Sequence, residues 1–154
     1  MATTITATTL TVEINETISL NGVEYGNSLA TAFTSQGKVD QRIMQVASKG
    51  DGTDWTTVLA LSTADAKGTV VVNDFAYVRL TNLDDTHALN LEIQATAGFF
   101  YFKVEAGENF LLMSPDIDFQ ASSTTAGFGD ISAINGQSDD GTDNIDIEYL
   151  IVTT

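Results

Sequence analysis

Few side chains in this sequence could carry out chemistry. His87 is the only histidine and there is no cysteine, which excludes a histidine-rich metal site, a thiolate site and a cysteine nucleophile. A Ser-His-Asp triad would have to use His87, and no Gly-x-Ser-x-Gly turn is present to carry its serine. Neither a Gly-x-x-x-x-Gly-Lys phosphate loop nor a Gly-x-Gly-x-x-Gly fingerprint occurs. His87 lies in a polar stretch, so it is predicted to be a solvated turn residue.

Carboxylates are abundant, but their positions favour turns over catalysis. They occur as Asp84-Asp85, Asp116/Asp118 and Asp139-Asp140, where hydration opposes a raised pKa. A calcium site is the alternative, because residues 139–144 and 51–54 offer the oxygen ligands that a hard cation prefers. The helix-loop-helix register fails, since Gly141 as its sixth position puts Gly136 first and Ile147 twelfth. We therefore predict no metal, no cofactor and no enzymatic activity.

Length, charge and the distribution of apolar residues limit the classes of protein to which this chain can belong. The 154 residues fit a single domain, 1–154, that can bury a core without disulfides. Twenty-one acidic against six basic residues give a net charge of −15, which disfavours nucleic acid as a partner. No apolar run approaches the roughly 20 residues that span a bilayer, and the N-terminus does not read as a signal peptide, so we predict no membrane association and synthesis in the cytoplasm. The charge fits either simple solubility or an acidic outer shell surface.

The sequence segments that would position any site are predicted to be short β-strands. Leu89, Leu91 and Ile93 alternate with polar residues, as in a half-buried antiparallel strand. Similar segments, separated by turn signals, predict an all-β antiparallel β-sandwich of jelly-roll type. The predicted strands cover residues 39–46, 55–61, 69–72, 75–81, 88–95, 99–104, 110–113 and 145–152.

Three other segments complete the predicted organisation. Asn21-Gly22 is a strong hairpin signal. The spacing of Leu29, Ala32 and Phe33 predicts a short helix within residues 27–38. Residues 120–144 are rich in Gly, Ser and Asp and predict a long loop, which in a compact domain is usually functional or disordered.

The turn residues have a structural explanation. Asn82 and the Asp84-Asp85 pair are expected to cap their own backbone. Gly107 is expected to supply a positive φ between two strands. Neither motif requires a ligand.

Two apolar segments exceed what one core requires. Leu10, Val12 and Ile14 lie in an N-terminal stretch, residues 1–14, without a nearby turn partner, which predicts an arm that pairs with another chain. A parity slip at Thr8-Thr9 indicates a bulge or two short strands.

The second apolar segment is an aromatic run. Its four consecutive residues send two rings to each face of a strand, and only one face can be core. The other pair forms an exposed patch unless another chain, or the loop of residues 120–144, covers it. The run consists of Phe99, Phe100, Tyr101 and Phe102.

Several segments of the C-terminal half resemble one class of protein. They are Tyr77-Val78-Arg79-Leu80-Thr81-Asn82-Leu83-Asp84, Phe102-Lys103-Val104-Glu105-Ala106-Gly107-Glu108, Phe110-Leu111-Leu112 and Ile147-Glu148-Tyr149-Leu150-Ile151-Val152. Together they resemble small β-sandwich structural proteins from the virions of tailed bacteriophages, especially marine ones. The resemblance implies a virion part such as capsid decoration (cement), a head fibre or a tail component.

Size, acidity and the lack of a shaft-like repeat favour capsid decoration within that class. Decoration proteins commonly occupy symmetry axes of a shell, so the resemblance implies a homo-oligomer, with a trimer favoured. It also implies the major capsid protein or another virion protein as partner, and a virion location after assembly in the host cytoplasm.

The alternative is a tail or fibre component that recognises a receptor or carbohydrate. Trp55 suggests this alternative function, because the faces of sugar rings stack on exposed aromatic rings. Trp55 shares its parity with Leu59 and Leu61, however, and that pattern predicts burial in the core.

Overall fold

The computed structural model describes residues 8–50, 52, 55–62, 70–71, 75–95, 98–113, 118–119 and 129–153. Within these residues the chain forms fourteen strands and no helix. No described segment is therefore a helix that is long and apolar enough to cross a membrane. The strands are β1 (Thr8–Asn15), β2 (Ser19–Leu20), β3 (Val23–Glu24), β4 (Ser28–Gln36), β5 (Lys38–Val46), β6 (Thr56–Ser62), β7 (Val70–Val71), β8 (Phe75–Asn82), β9 (Leu89–Ala95), β10 (Gly98–Val104), β11 (Asn109–Met113), β12 (Asp118–Phe119), β13 (Gly129–Ser138) and β14 (Ile145–Thr153).

Two sheets build the core. The four-stranded sheet has the order β11-β8-β14-β5, and the six-stranded sheet has the order β10-β9-β13-β6-β7 with β12 beside β13. All described pairings are antiparallel except that of β6 with β7. Buried residues of both sheets form one apolar cluster. The predicted all-β sandwich is confirmed, while its jelly-roll connectivity stays a prediction.

The C-terminal strand lies at the centre of the four-stranded sheet. β14 pairs with β5 on one side and with β8 on the other. Its alternating residues Ile145, Ile147, Tyr149 and Ile151 are all at most 5 % exposed. A two-residue apolar period puts them on one face, and that face is the core.

The predicted loop at residues 120–144 is wrong over residues 129–138, which form β13, whereas residues 139–144 do form a loop before β14. Residues 120–128 lie outside the described part of the chain, but β13 lies between β9 and β6 in the six-stranded sheet. Ile131 and Ile134 enter the core. A bulge between Ile131 and Ala133 interrupts the alternation that marks a strand.

Gly136 lies at a point in this central strand where neighbouring side chains leave little room for a Cβ atom. A Cβ there would lie 3.1 Å from methyl groups of both Val46 and Val58, and 3.2 Å from one of Leu89. The composition of β13 therefore reflects close packing between sheets rather than a loop.

The predicted helix within residues 27–38 is also wrong. That segment contains β4, which pairs with β1 along its length. The N-terminal stretch thus has a partner in its own chain, contrary to the expectation that it lacks one. Residues 1–7 lie outside the described range. The register does shift between Thr8 and Leu10, but the pairings Thr8–Gln36 and Leu10–Phe33 put the extra residue in β4, so the bulge predicted at Thr8-Thr9 is not in β1.

The predicted turns are confirmed, except that Asp85 accepts a hydrogen bond from the Thr86 hydroxyl and does not cap the backbone. Asn21 and Gly22 have φ values of 54° and 78°, as a two-residue hairpin turn requires. Asn82 Oδ1 accepts a hydrogen bond from the Asp84 amide at 3.1 Å, and Asp84 Oδ1 accepts from the amides of Thr86 and His87. Gly107 has a φ of 75°.

Candidate functional site

The carboxylates of the loops hold the backbone together. Asp140 Oδ1 accepts hydrogen bonds from the amides of Thr142 and Asp143, which lower the pKa of Asp140 to about 2. Asp139 accepts from the Ala88 amide at 2.9 Å. In the described residues, no group of three or more His, Cys, Asp or Glu could hold a metal ion. The predicted carboxylates at 51, 54 and 116 lie outside those residues.

His87 lies in the turn between β8 and β9. Its Nε2 is 3.6 Å from Asp143 Oδ2, and its carbonyl accepts a hydrogen bond from the Asn82 amide group. The ring is about one quarter exposed. Within the part of the chain that the structure describes, the ring contacts this carboxylate and no serine or threonine hydroxyl. This contact joins the turn between β8 and β9 to the loop between β13 and β14.

Residues 8–36 form a single β-ribbon, called here the ribbon. β1 pairs with β4, and the same register continues through the Ile18–Tyr25 hydrogen bond to β2 and β3. At about 3.3 Å per residue, the ribbon is roughly 40 Å long. Neither β1 nor β4 pairs with any other described strand.

The ribbon is amphipathic. Most cross-strand pairs on one face are apolar, with Val12–Thr31 and Glu16–Asn27 as the exceptions, while threonine, glutamate, serine, asparagine and alanine occupy the other face. Exposure rises towards the tip: Leu10 and Val12 are half-buried, Ile14 is 36 % exposed and Leu20 is 59 % exposed. The apolar pairs are Leu10–Phe33, Ile14–Leu29, Ile18–Tyr25 and Leu20–Val23.

The aromatic run forms β10, an edge strand of the six-stranded sheet. Phe99 and Tyr101 share the outer face and are 49 % and 63 % exposed. Phe100 and Phe102 share the parity of buried Val104, yet they are not enclosed, contrary to the expectation that one pair is core. Both pairs therefore contribute exposed apolar surface.

Phe100 and Phe102 open onto an apolar groove between the edges of the two sheets. Its volume is about 170 Å³, and Ile93, Leu112 and Ile131 line the rest of it. The ring of Phe102 also contacts Phe110 of β11, with centroids 4.9 Å apart. The groove thus connects the core to the β10 edge.

Trp55 is not a core residue, so the expectation from its parity is wrong. The β6 register shifts between Thr57 and Leu59, and the bulge leaves both Val58 and Leu59 buried. This reverses the side on which Trp55 and Thr57 lie. Trp55 is half-buried on the outer face, and its ring is 6.0 Å from that of Tyr101 at a 46° tilt.

A polar centre lies beside these rings. Glu92 pairs with Tyr101 on one side and with Asn135 on the other. Its carboxylate accepts a 2.8 Å hydrogen bond from Asn135 Nδ2 and one from the Tyr101 hydroxyl, which raises the pKa of Tyr101. Glu92 is only 9 % exposed, although its alternation predicts a face in water.

The aromatic strand was predictable from the sequence, but the cleft at Trp55 was not. The cleft depends on the β6 bulge, which the sequence pattern does not show. Compared with protein-family models, curated proteins and solved structures, the chain matches none.

Proposed function

We propose that this chain is a non-enzymatic structural protein of a tailed-bacteriophage virion, acting as a capsid decoration protein. The amphipathic ribbon carries the proposal. A two-stranded ribbon alone is only marginally stable in water, and an exposed apolar face calls for a cover. Another virion surface supplies that cover, and we assign it to the capsid shell.

Charge supports a shell partner for the ribbon rather than a second ribbon. Residues 8–36 include Glu13, Glu16 and Glu24 and no lysine or arginine. Two ribbons side by side would therefore repel each other. The groove beside Phe100 and Phe102 is the better surface for self-association, because its lining side chains are apolar, and a contact there leaves Phe99 and Tyr101 exposed on the outer face. This division gives a homo-oligomer, with a trimer on a symmetry axis as its proposed form.

The resemblance to phage virion proteins adds support from other parts of the chain. Its segments fall on β8, β10, β11 and β14, which are strands of the sandwich. These segments support the proposed sandwich scaffold, whereas the ribbon supports the proposed attachment to the capsid shell. A jelly-roll connectivity belongs to the same proposal.

A tail or fibre component is the second candidate. The observation that favours it is the placement of Trp55 on the outer face beside Tyr101. A receptor-binding role would use that face and not the ribbon.

The test is binding to phage particles assembled without the chain. Purified wild-type protein is expected to pellet with them. A Leu20→Ser/Val23→Ser variant changes one cross-strand pair on the apolar face of the tip and is expected to lose at least tenfold in binding. Its melting temperature should stay within about 2 °C, because both side chains are more than half exposed.

The matched control is Ser19→Ala/Glu24→Gln, which changes the adjacent pair on the opposite face. It should bind like wild type. Equal binding by both variants would contradict attachment through the ribbon, and wild-type protein that never pellets would contradict the decoration role.

A further inference from the structure

An open cleft lies on the outer face of the six-stranded sheet, and the ribbon has no part in it. Its volume is about 340 Å³, within the range of small-ligand sites. Trp55 and Tyr101 provide its aromatic walls, and Asn90 and Lys103 add polar atoms. Tyr101 lies in β10 and Trp55 immediately precedes β6, and β9 and β13 separate these two strands. The two side chains therefore reach across two intervening strands to contact each other.

The polar groups beside the cleft are held in place. Glu92 is nearly enclosed and accepts hydrogen bonds from Asn135 and Tyr101. A carboxylate has about four acceptor sites, so Glu92 keeps acceptor capacity for a further donor. The half-buried amide of Asn90 offers both a donor and an acceptor.

We propose that this cleft binds a neutral glycan. Aromatic rings provide flat surfaces for the C–H faces of a sugar, and fixed amide and carboxylate groups exchange hydrogen bonds with its hydroxyls. An anionic ligand is disfavoured, because Glu92 is present and Lys103 already pairs with Glu105 and Asp139 at 3.3 and 3.4 Å. This inference deepens the receptor-binding role of the Trp55 face given above as the second candidate, and it does not depend on attachment through the ribbon.

The aromatic surface continues past one sugar ring. Phe99 stacks on Tyr101 with centroids 6.5 Å apart and an interplanar angle of 20°. Residues two apart on a strand are separated by about 7 Å, so the two rings can contact neighbouring sugar units. The cleft and its extension therefore fit an oligosaccharide of two or more units better than a monosaccharide.

Trp55 is the only tryptophan in the chain, so its fluorescence reports directly on this cleft. Wild-type protein is titrated with maltotetraose, cellotetraose, chitotetraose and lactose, each to about 10 mM, well above a millimolar dissociation constant. At least one of these probes is expected to shift or quench the emission saturably. A glycan array of neutral oligosaccharides provides the second readout.

Variants then locate the site. Tyr101→Ala should weaken binding about tenfold or more, whereas Tyr101→Phe keeps the ring and should stay within about threefold. Tyr101 is 63 % exposed, so both variants are expected to fold. Tyr25→Ala, which removes an exposed aromatic ring from the ribbon, is the matched control and should bind like wild type.

Three results would overturn the proposal. They are the absence of any response to all four probes and to the array, full binding by Tyr101→Ala, and equal loss in Tyr25→Ala. Failure here would leave the particle-binding test unaffected, because that test depends on the tip of the ribbon.

Discussion

Replacing Asn82 should destabilise the fold more than any other single polar change near the loops. The side chain is fully buried and connects three segments. Its Nδ2 donates to the carbonyls of His87, Val104 and Glu105 at 2.9, 3.3 and 3.2 Å, and its Oδ1 accepts from the Asp84 amide. Asn82→Ala removes all of these bonds at once.

The size of the effect follows from the bonds lost. An amide group has two hydrogens, so three acceptors share two donated bonds, and one accepted bond makes three. At about 1 kcal/mol each, Asn82→Ala should cost roughly 3 kcal/mol. For a protein of this size, that corresponds to a fall of about 6–12 °C in melting temperature.

Two further variants sharpen the test. Asn82→Asp keeps an acceptor for the Asp84 amide but turns a buried charge towards three carbonyls, so it should cost more than Asn82→Ala. Asn109→Ala removes an exposed side chain that accepts one bond from Thr81 and should cost under about 0.5 kcal/mol. Urea unfolding gives all three values. A cost for Asn82→Ala no greater than that for Asn109→Ala would refute the reasoning.

Three other outcomes are expected. Gly136→Ala should cost about 1–3 kcal/mol by urea unfolding, because its methyl group must displace side chains in the core; an unchanged midpoint would contradict close packing at β13. The folded pKa of Asp140, about 2, lies below its usual 3.8, so its stabilising contribution is present above about pH 4 and lost towards pH 2. Asp140→Asn should therefore show a smaller fall in urea midpoint between those values than wild type, and an equal fall would count against this linkage. Sedimentation at tens of micromolar should give a trimer, and a monomer would restrict self-association to the particle.

Clean alternation made part of the fold predictable. Ile145, Ile147 and Ile151 in β14, like Leu89 and Leu91 in β9, have a period of two and bury one face. The turns were also predictable, because the Asn, Asp and Gly residues that form them contact backbone groups of their neighbours in sequence. These features need no knowledge of distant contacts.

The missed elements depend on long-range packing. In β4, Leu29 and Phe33 fit a helical spacing equally well, and only pairing with β1 decides for a strand. In β13, a bulge interrupts the two-residue period, and side chains from three other strands leave room only for glycine at position 136. Sequence pattern alone cannot show such partners.

The candidate cleft was missed for a related reason. One inserted residue in β6 turns Trp55 away from the core, and parity counting assumes that no residue is inserted. The exposed aromatic residues of β10 were predictable because four consecutive rings must occupy both faces. The incomplete burial of Phe100 and Phe102 follows from the edge position of β10.

A density map of the phage particle tests the central claim most directly. Density for this sandwich is expected on the outer surface of the shell, in three copies around a symmetry axis, with the ribbon of residues 8–36 against the capsid protein. Purified infectious particles that lack the chain altogether would contradict a virion role. Density on the tail or a fibre, with the Trp55 face outward, would instead contradict decoration and favour receptor binding.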